Sequence, residues 1–200
     1  MSDRSTVLRR LASSSGQSVI EFALVMPIVV VLVLGVIELG SALQDQHLIT
    51  KLTREGSNLI SRDTTVEDAA TALRLMTSAP VNFENGSSKM IFSVIKRGAT
   101  TGSANYDKMV LYQRFEYGSF GGVSHISIAG GGSFGGAPDY AAANSDSNAG
   151  LQVTNLPPTL VSVKGGMIYI TEIFTRHTML TPFDRFGVTV PQSLYSIAYF

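Results

Sequence analysis

Residues 16–43 read GQSVIEFALVMPIVVVLVLGVIELGSAL, and the architecture follows from what this stretch can do. From Phe22 to Leu43 it supplies 22 residues of almost unbroken apolar character. As a helix that run is about 33 Å long, against a bilayer hydrocarbon core of about 30 Å. It is therefore a membrane span. Two carboxylates flank it, Glu21 before and Glu38 near the far end. An acidic side chain at the bilayer centre costs on the order of 3 kcal/mol, so both are read as edge residues that reach headgroups or water. Pro27 lies inside the run and removes one backbone donor, which loosens the helix near Ala23. Membrane helices tolerate this, and it reads either as a harmless kink or as a hinge. Gly35 and Gly40 are not at G-x-x-x-G spacing and define no dimerisation face.

Before the span lie Arg4, Arg9 and Arg10 against a single Asp3. Positive charge on this flank favours a cytoplasmic N-terminus and an outward-facing remainder. A secretory signal peptide is the rival reading, but its apolar region would be shorter and uncharged at its ends. The 200 residues have a formal charge of zero, which gives no electrostatic case for nucleic acid. There is no cysteine, so disulfides, thiol nucleophiles and cysteine zinc sites are excluded.

The near edge of the span carries chemistry of its own. A cut after Gly16 makes Gln17 the new N-terminus and Glu21 the fifth residue. A free α-amine titrates at about 7.7–8.0 and is mostly charged at neutral pH. A carboxylate one turn further on suits the positive end of the helix dipole. It could also pair with the amine of a staggered neighbouring helix, where a mismatched register would strand a charge in low dielectric. The plainer reading is an interfacial charge on an anchor.

The order Gly16, Glu21, Phe22, Pro27, apolar run and Gly35-Val36-Ile37-Glu38-Leu39-Gly40 resembles the N-terminus of TadE-like proteins, the minor pilins or pseudopilins of the tight-adherence (Flp-type IV) pilus system. The resemblance covers about the first 50 residues. It implies cleavage between Gly16 and Gln17 by a prepilin peptidase, an assembly and register role for Glu21, and a stem that meets the major Flp-type pilin, other minor pilins and the pilus assembly platform. It places the protein in the inner membrane, single-pass, with a periplasmic head and a possible place in an extracellular pilus. Without the leader, three arginines and one aspartate are lost and the net charge becomes −2.

Past the membrane, Leu48, Leu52, Glu55 and Leu59 recur at three- and four-residue steps and continue the helix to about Ser61–Asp63. Thr64-Thr65-Val66-Glu67 reads as a capping box that opens a short helix with the stripe Ala69, Ala70, Leu73 and Met76, stopped before Pro80. Glu67 and Asp68 are ordinary first-turn acids rather than a catalytic pair. Strands are predicted at 89–97, 108–117, 166–175 and 194–200, with a shorter candidate at 159–164. In the second of these, Met109, Leu111, Phe115 and Tyr117 are assigned to one face. Residues 118–150 are rich in Gly, Ser, Ala and Asn, repeat Gly-Ser-Phe-Gly-Gly at 118–122 and 132–136, and read as a flexible surface insertion. A sharper reading makes Phe120 and Phe134 anchors of a contact loop.

His125 and His177 lack metal-ligand spacing, no G-x-S-x-G elbow is present, and no catalytic constellation, cofactor or metal site is assigned. The predicted fold class is α+β: a long membrane-spanning stem helix, one short helix and a small antiparallel sheet. The predicted divisions are a cleaved leader at 1–16, a stem at 17–62 and a head at 63–200. The alternative function is an uncleaved single-pass anchor that carries a periplasmic scaffold or binding domain of a secretion machine.

Overall fold

A computed structural model describes residues 4–62, 64–186 and 192–200. The chain divides into two compact units: residues 1–43 with 179–189, and residues 44–178 with 190–200.

The first unit contains the opening of helix α1, Arg4–Ile60. Pro27 lies inside α1 without ending it. The lack of side-chain polarity along 22–37 leaves the helix no soluble face, and the most apolar part of the segment is exposed throughout. Among the described residues this is the one helix long and apolar enough to cross a membrane. Glu38 departs from the edge-residue reading. Although Leu39 beside it is 65% exposed, Glu38 is only 3% exposed. Its Oε2 accepts from the backbone N–H of Leu180 (3.1 Å), the backbone N–H of Thr181 (2.9 Å) and the Thr181 hydroxyl (2.7 Å). The chain itself supplies donors to this carboxylate, as a buried acid requires. A short 3-10 helix, Pro182–Phe186, follows.

The second unit is built on the continuation of α1. Its inward stripe, Ile49, Leu52 and Ile60, is buried together with Thr53 and Ser57. Against it lies a sheet of four antiparallel strands, β1 (Ser88–Arg97), β2 (Met109–Tyr117), β3 (Met167–Arg176) and β4 (Ser193–Tyr199), in the order β2-β1-β3-β4. Gly56 lets the helix approach closely, since a Cβ there would stand 2.8 Å from Thr171 Cγ2. Met90, Phe92 and Ile173 complete this core with helix α2, Val66–Leu75, through Val66, Ala69, Ala70 and Leu73. Hydroxyls lace helix to sheet: Thr53 meets Ser196 at 2.9 Å, and Ser57 donates to the Ala198 carbonyl at 3.1 Å.

The opposite face of the sheet carries a second core, Ile95, Leu111, Ile126, Ile168 and Ile170. Part of its cover comes from residues 118–150. That segment is thus no bare surface insertion: Ile126 is 4% exposed, and Phe134 packs on the same cluster. Tiny side chains are what allow the close fit, as at Gly132, where a Cβ would fall 2.1 Å from Leu151 Cδ2.

Three local expectations change. The N-cap of α2 is Thr65, not Thr64: its hydroxyl accepts from the Asp68 backbone N–H at 3.1 Å and donates to the Asp68 carboxylate at 2.8 Å. The Thr64 hydroxyl instead closes the end of α1 by donating to the Leu59 carbonyl. Residues 159–164 form no strand; they turn back, with the Gly165 and Gly166 amides donating to the Arg97 and Val163 carbonyls. The face assignment of β2 fails at a bulge. Val94 pairs with Gln113 and Ile95 with Leu111, which leaves Tyr112 as the extra residue. Its carbonyl accepts from Ala142 N–H at 2.7 Å. One extra residue reverses the alternation. Phe115 and Tyr117 therefore join the helix-side core, while Leu111 and Met109 join the other.

Candidate functional site

The residues singled out from the sequence, Gly16, Gln17, Glu21 and Pro27, all lie on α1 and all are exposed. Gln17 and Glu21 are one turn apart, so their side chains share a face. The Gln17 amide Nε2 donates to Glu21 Oε1 at 3.0 Å. Beyond Glu21 the cylinder is apolar and uncovered: Leu24 is 68% and Leu32 64% exposed. Nothing stands within 4 Å of where a Cβ would sit on Gly16, Gly35 or Gly40, so backbone at those points is open to close approach. The arrangement is an exposed apolar helix with an ionisable side chain, Glu21, where the apolar run begins.

The second unit holds a polar cluster that the sequence reading passed over. Glu172, in the centre of β3, is fully buried. It accepts from the Ser124 hydroxyl, from the His125 backbone N–H at 2.8 Å and from the Tyr195 hydroxyl at 2.9 Å. Burial first, then the negative charge of Glu172, pushes the Tyr195 phenol above its usual range, so it stays a neutral donor. Burial also lowers the Arg114 guanidinium, an effect opposed by the charges of Glu172 and Glu116. The His125 ring stands 4.2 Å from that of Tyr195, and Phe174 lies 4.7 Å from Tyr195. The carboxylate thereby ties β3 to β4 and to the start of the glycine-rich segment. A signal was present: an acid amid Ile170, Ile173 and Phe174 on a strand is either buried and satisfied or out of place.

His177 is likewise structural: its Nδ1 lies 2.7 Å from Asp45 Oδ2, with the ring almost wholly buried. Among the described residues no three His, Asp or Glu side chains converge as metal ligands. Phe120 receives Arg176 at 5.9 Å from its ring centre, whereas Phe134 is partly buried against the second core.

Among the described residues, one exposed helix long and apolar enough to cross a membrane is followed by an α+β unit, the layout of a single-pass membrane protein. Within that class the family comparison is specific to the stem: residues 16–58 match the model of the TadE-like protein family. The match covers 43 of the 200 residues and is confined to the apolar helix and its continuation. No curated protein and no solved structure matches the chain.

Proposed function

We propose that this chain is a minor pilin, or pseudopilin, that takes part in assembly of a tight-adherence, Flp-type IV pilus. In this reading residues 1–16 are a cytoplasmic leader removed between Gly16 and Gln17 by a prepilin peptidase. Residues 17–62 are the stem and residues 63–200 the periplasmic head. The stem sits in the inner membrane until it packs against major and minor pilins at the assembly platform. One observation carries the reading: within the TadE-like segment, an exposed carboxylate stands five residues beyond Gly16, at the entrance of an apolar helix that none of the described residues covers. Uncovered apolar surface of that extent needs lipid or partner helices, and Glu21 supplies the register that lipid alone would not require. Pro27 is proposed as the point where the stem bends on leaving the bilayer.

The mass of the mature N-terminal peptide tests the processing step. A start at residue 17 supports it. A start at Met1 favours the second reading, an uncleaved anchor that holds a periplasmic scaffold or binding domain. The specific support for that alternative is that α1 runs unbroken from Arg4 through Gly16 to Ile60, so the bond to be cut lies within a helix.

A further inference from the structure

We propose that Asn85 is a self-modification site of the folded second unit: the main-chain nitrogen of Gly86 attacks its side-chain amide, ammonia leaves, and the residue ends as aspartate or isoaspartate. The proposal concerns the second unit alone and does not depend on the pilin reading.

Asn85 and Gly86 lie in the turn that leads into β1. Asn85 is exposed, and it is the sole asparagine of the chain that glycine follows. Its Oδ1 accepts from the Ser87 backbone N–H at 3.0 Å. That hydrogen bond closes a ring through Cγ, the Asn85 main chain, the Gly86 nitrogen and Ser87. The side chain is thus folded toward the nitrogen that must attack it. The same N–H stands as a donor at the oxygen on which negative charge develops. Gly86 has φ +78 and no Cβ, so no side chain of its own shields its nitrogen. Among the described residues neither the Gly86 N–H nor the Asn85 Nδ2 has a hydrogen-bond partner. Nucleophile and leaving group are therefore both unencumbered.

Two other asparagines make the same turn without the same exposure to attack. Asn82 Oδ1 accepts from the Glu84 N–H at 2.8 Å, and Asn148 Oδ1 from the Gly150 N–H at 2.9 Å. Phe83 follows the first and is itself buried, which pins the nitrogen in place. Ala149 follows the second, and Asn148 Nδ2 is held by the Gly131 carbonyl at 3.3 Å. The comparison assigns the reactivity to the coincidence of turn and glycine at residue 85.

The bonds balance without an oxidant or reductant. The Gly86 nitrogen forms a bond to Asn85 Cγ, the Cγ–Nδ2 bond breaks, and the proton shed by the Gly86 nitrogen leaves on Nδ2 as ammonia. The product is a five-membered succinimide. Water then adds to one of its two carbonyls and breaks that carbon's bond to nitrogen. Opening at Cγ gives aspartate; opening at the main-chain carbon gives isoaspartate, with one more methylene in the main chain. Either product adds a negative charge beside Glu84, which Arg74 and Tyr117 already hold. The aspartate form keeps an acceptor for the Ser87 N–H, whereas isoaspartate moves that carbonyl into the backbone.

The test incubates the full chain in detergent at neutral and mildly alkaline pH, with a parallel sample unfolded in urea. Trypsin releases residues 75–89, and the peptide is weighed and fragmented at each time point. The expected peptide gains the difference between one water and one ammonia at Asn85, through a species lighter by one ammonia. It separates into aspartate and isoaspartate forms, and the folded chain converts at least as fast as the unfolded one. Asn82 and Asn148 keep their encoded mass. A folded chain that stays unchanged while the unfolded chain converts overturns the proposal, because the turn would then protect the amide. Asn85→Gln would need a larger ring and must hold its mass; a gain in that variant's peptide places the reaction elsewhere, and the proposal fails.

Discussion

Glu21 and Glu38 occupy the two ends of one apolar run on one helix, yet the chain treats them oppositely. Glu38 is buried and accepts three hydrogen bonds from Leu180 and Thr181. Glu21 is exposed, and its hydrogen bond comes from a side chain one turn back. The fold thus consumes one carboxylate and leaves the other available. A buried acid supplied with donors on its own chain is part of the architecture. An acid at a membrane edge without such a cage is either cheap decoration or a contact for something outside the chain, and the contrast with Glu38 argues for the second.

The largest effect expected is from Glu21→Ala. Membrane insertion and the folding of the second unit should be unchanged, with the urea midpoint of the detergent-solubilised protein within the ±0.5 kcal/mol typical of surface changes. Pilus assembly, scored by surface piliation, should be lost. Normal piliation would reduce Glu21 to decoration and erase the contrast.

Next comes Glu172→Ala, which extends the comparison to a carboxylate buried inside the sheet. It would strand the Ser124 and Tyr195 hydroxyls and the His125 N–H, and would remove one of the two negative charges that act on Arg114. Loss of about 1–3 kcal/mol for each buried donor left unsatisfied is expected. Urea unfolding followed by circular dichroism measures it. A change under 1 kcal/mol would show that the cluster is not held as described.

Glu38→Ala is smaller and local. It leaves the Leu180 and Thr181 amides without their acceptor, a penalty of about 1–3 kcal/mol, borne by the segment around residues 179–186. Limited proteolysis should cut there faster in the variant while the second unit resists as before. Equal protection in both proteins would mean that Glu38 and Glu21 are not different in kind.

How far the sequence foretells all this depends on whether a feature is local. The span is legible because an apolar run longer than a bilayer has few other uses, and the strands because β-branched runs such as Ile168–Ile173 announce themselves. The bulge at Tyr112 is not legible: it is matched to a hydrogen bond from Ala142, far along the chain. The second core is hidden for a related reason. Ile126 and Phe134 are isolated among glycines and polar residues, with no period to mark them as inward-facing. Burial of Glu38 depends on Leu180 and Thr181, whose sequence carries no sign of what they will cap. The Gln17–Glu21 pair stands at helical spacing, yet read from the sequence the two residues are only a new terminus and a separate charge.

The smallest effect tests whether exposure by itself is what frees Glu21. Glu84 is also exposed, yet it has partners within its own chain: Arg74 at 2.6 Å and Tyr117 at 2.9 Å. Hydrogen bonds from Tyr117 and then Arg74 hold its carboxyl below the usual value. A depressed carboxylate contributes stability above the unfolded pKa of about 4.3, and that contribution disappears as pH falls through the lower folded value. The Tyr117 phenol is raised, first by its hydrogen bond to Glu84. Its contribution is whole below about pH 10 and fades as pH rises through the higher folded value. Glu84→Gln should therefore differ from the parent in urea midpoint between those limits, by a small amount because water screens the pair, and should converge with it at the acid end. At neutral pH, where Glu84→Gln loses those contacts, Glu21→Ala should keep the parent's urea midpoint, since among the described residues the hydrogen bond to that carboxylate comes from the exposed Gln17 amide alone. A matching loss there would mean that Glu21, like Glu84, is already engaged within its own chain, and that the partner sought outside is not needed.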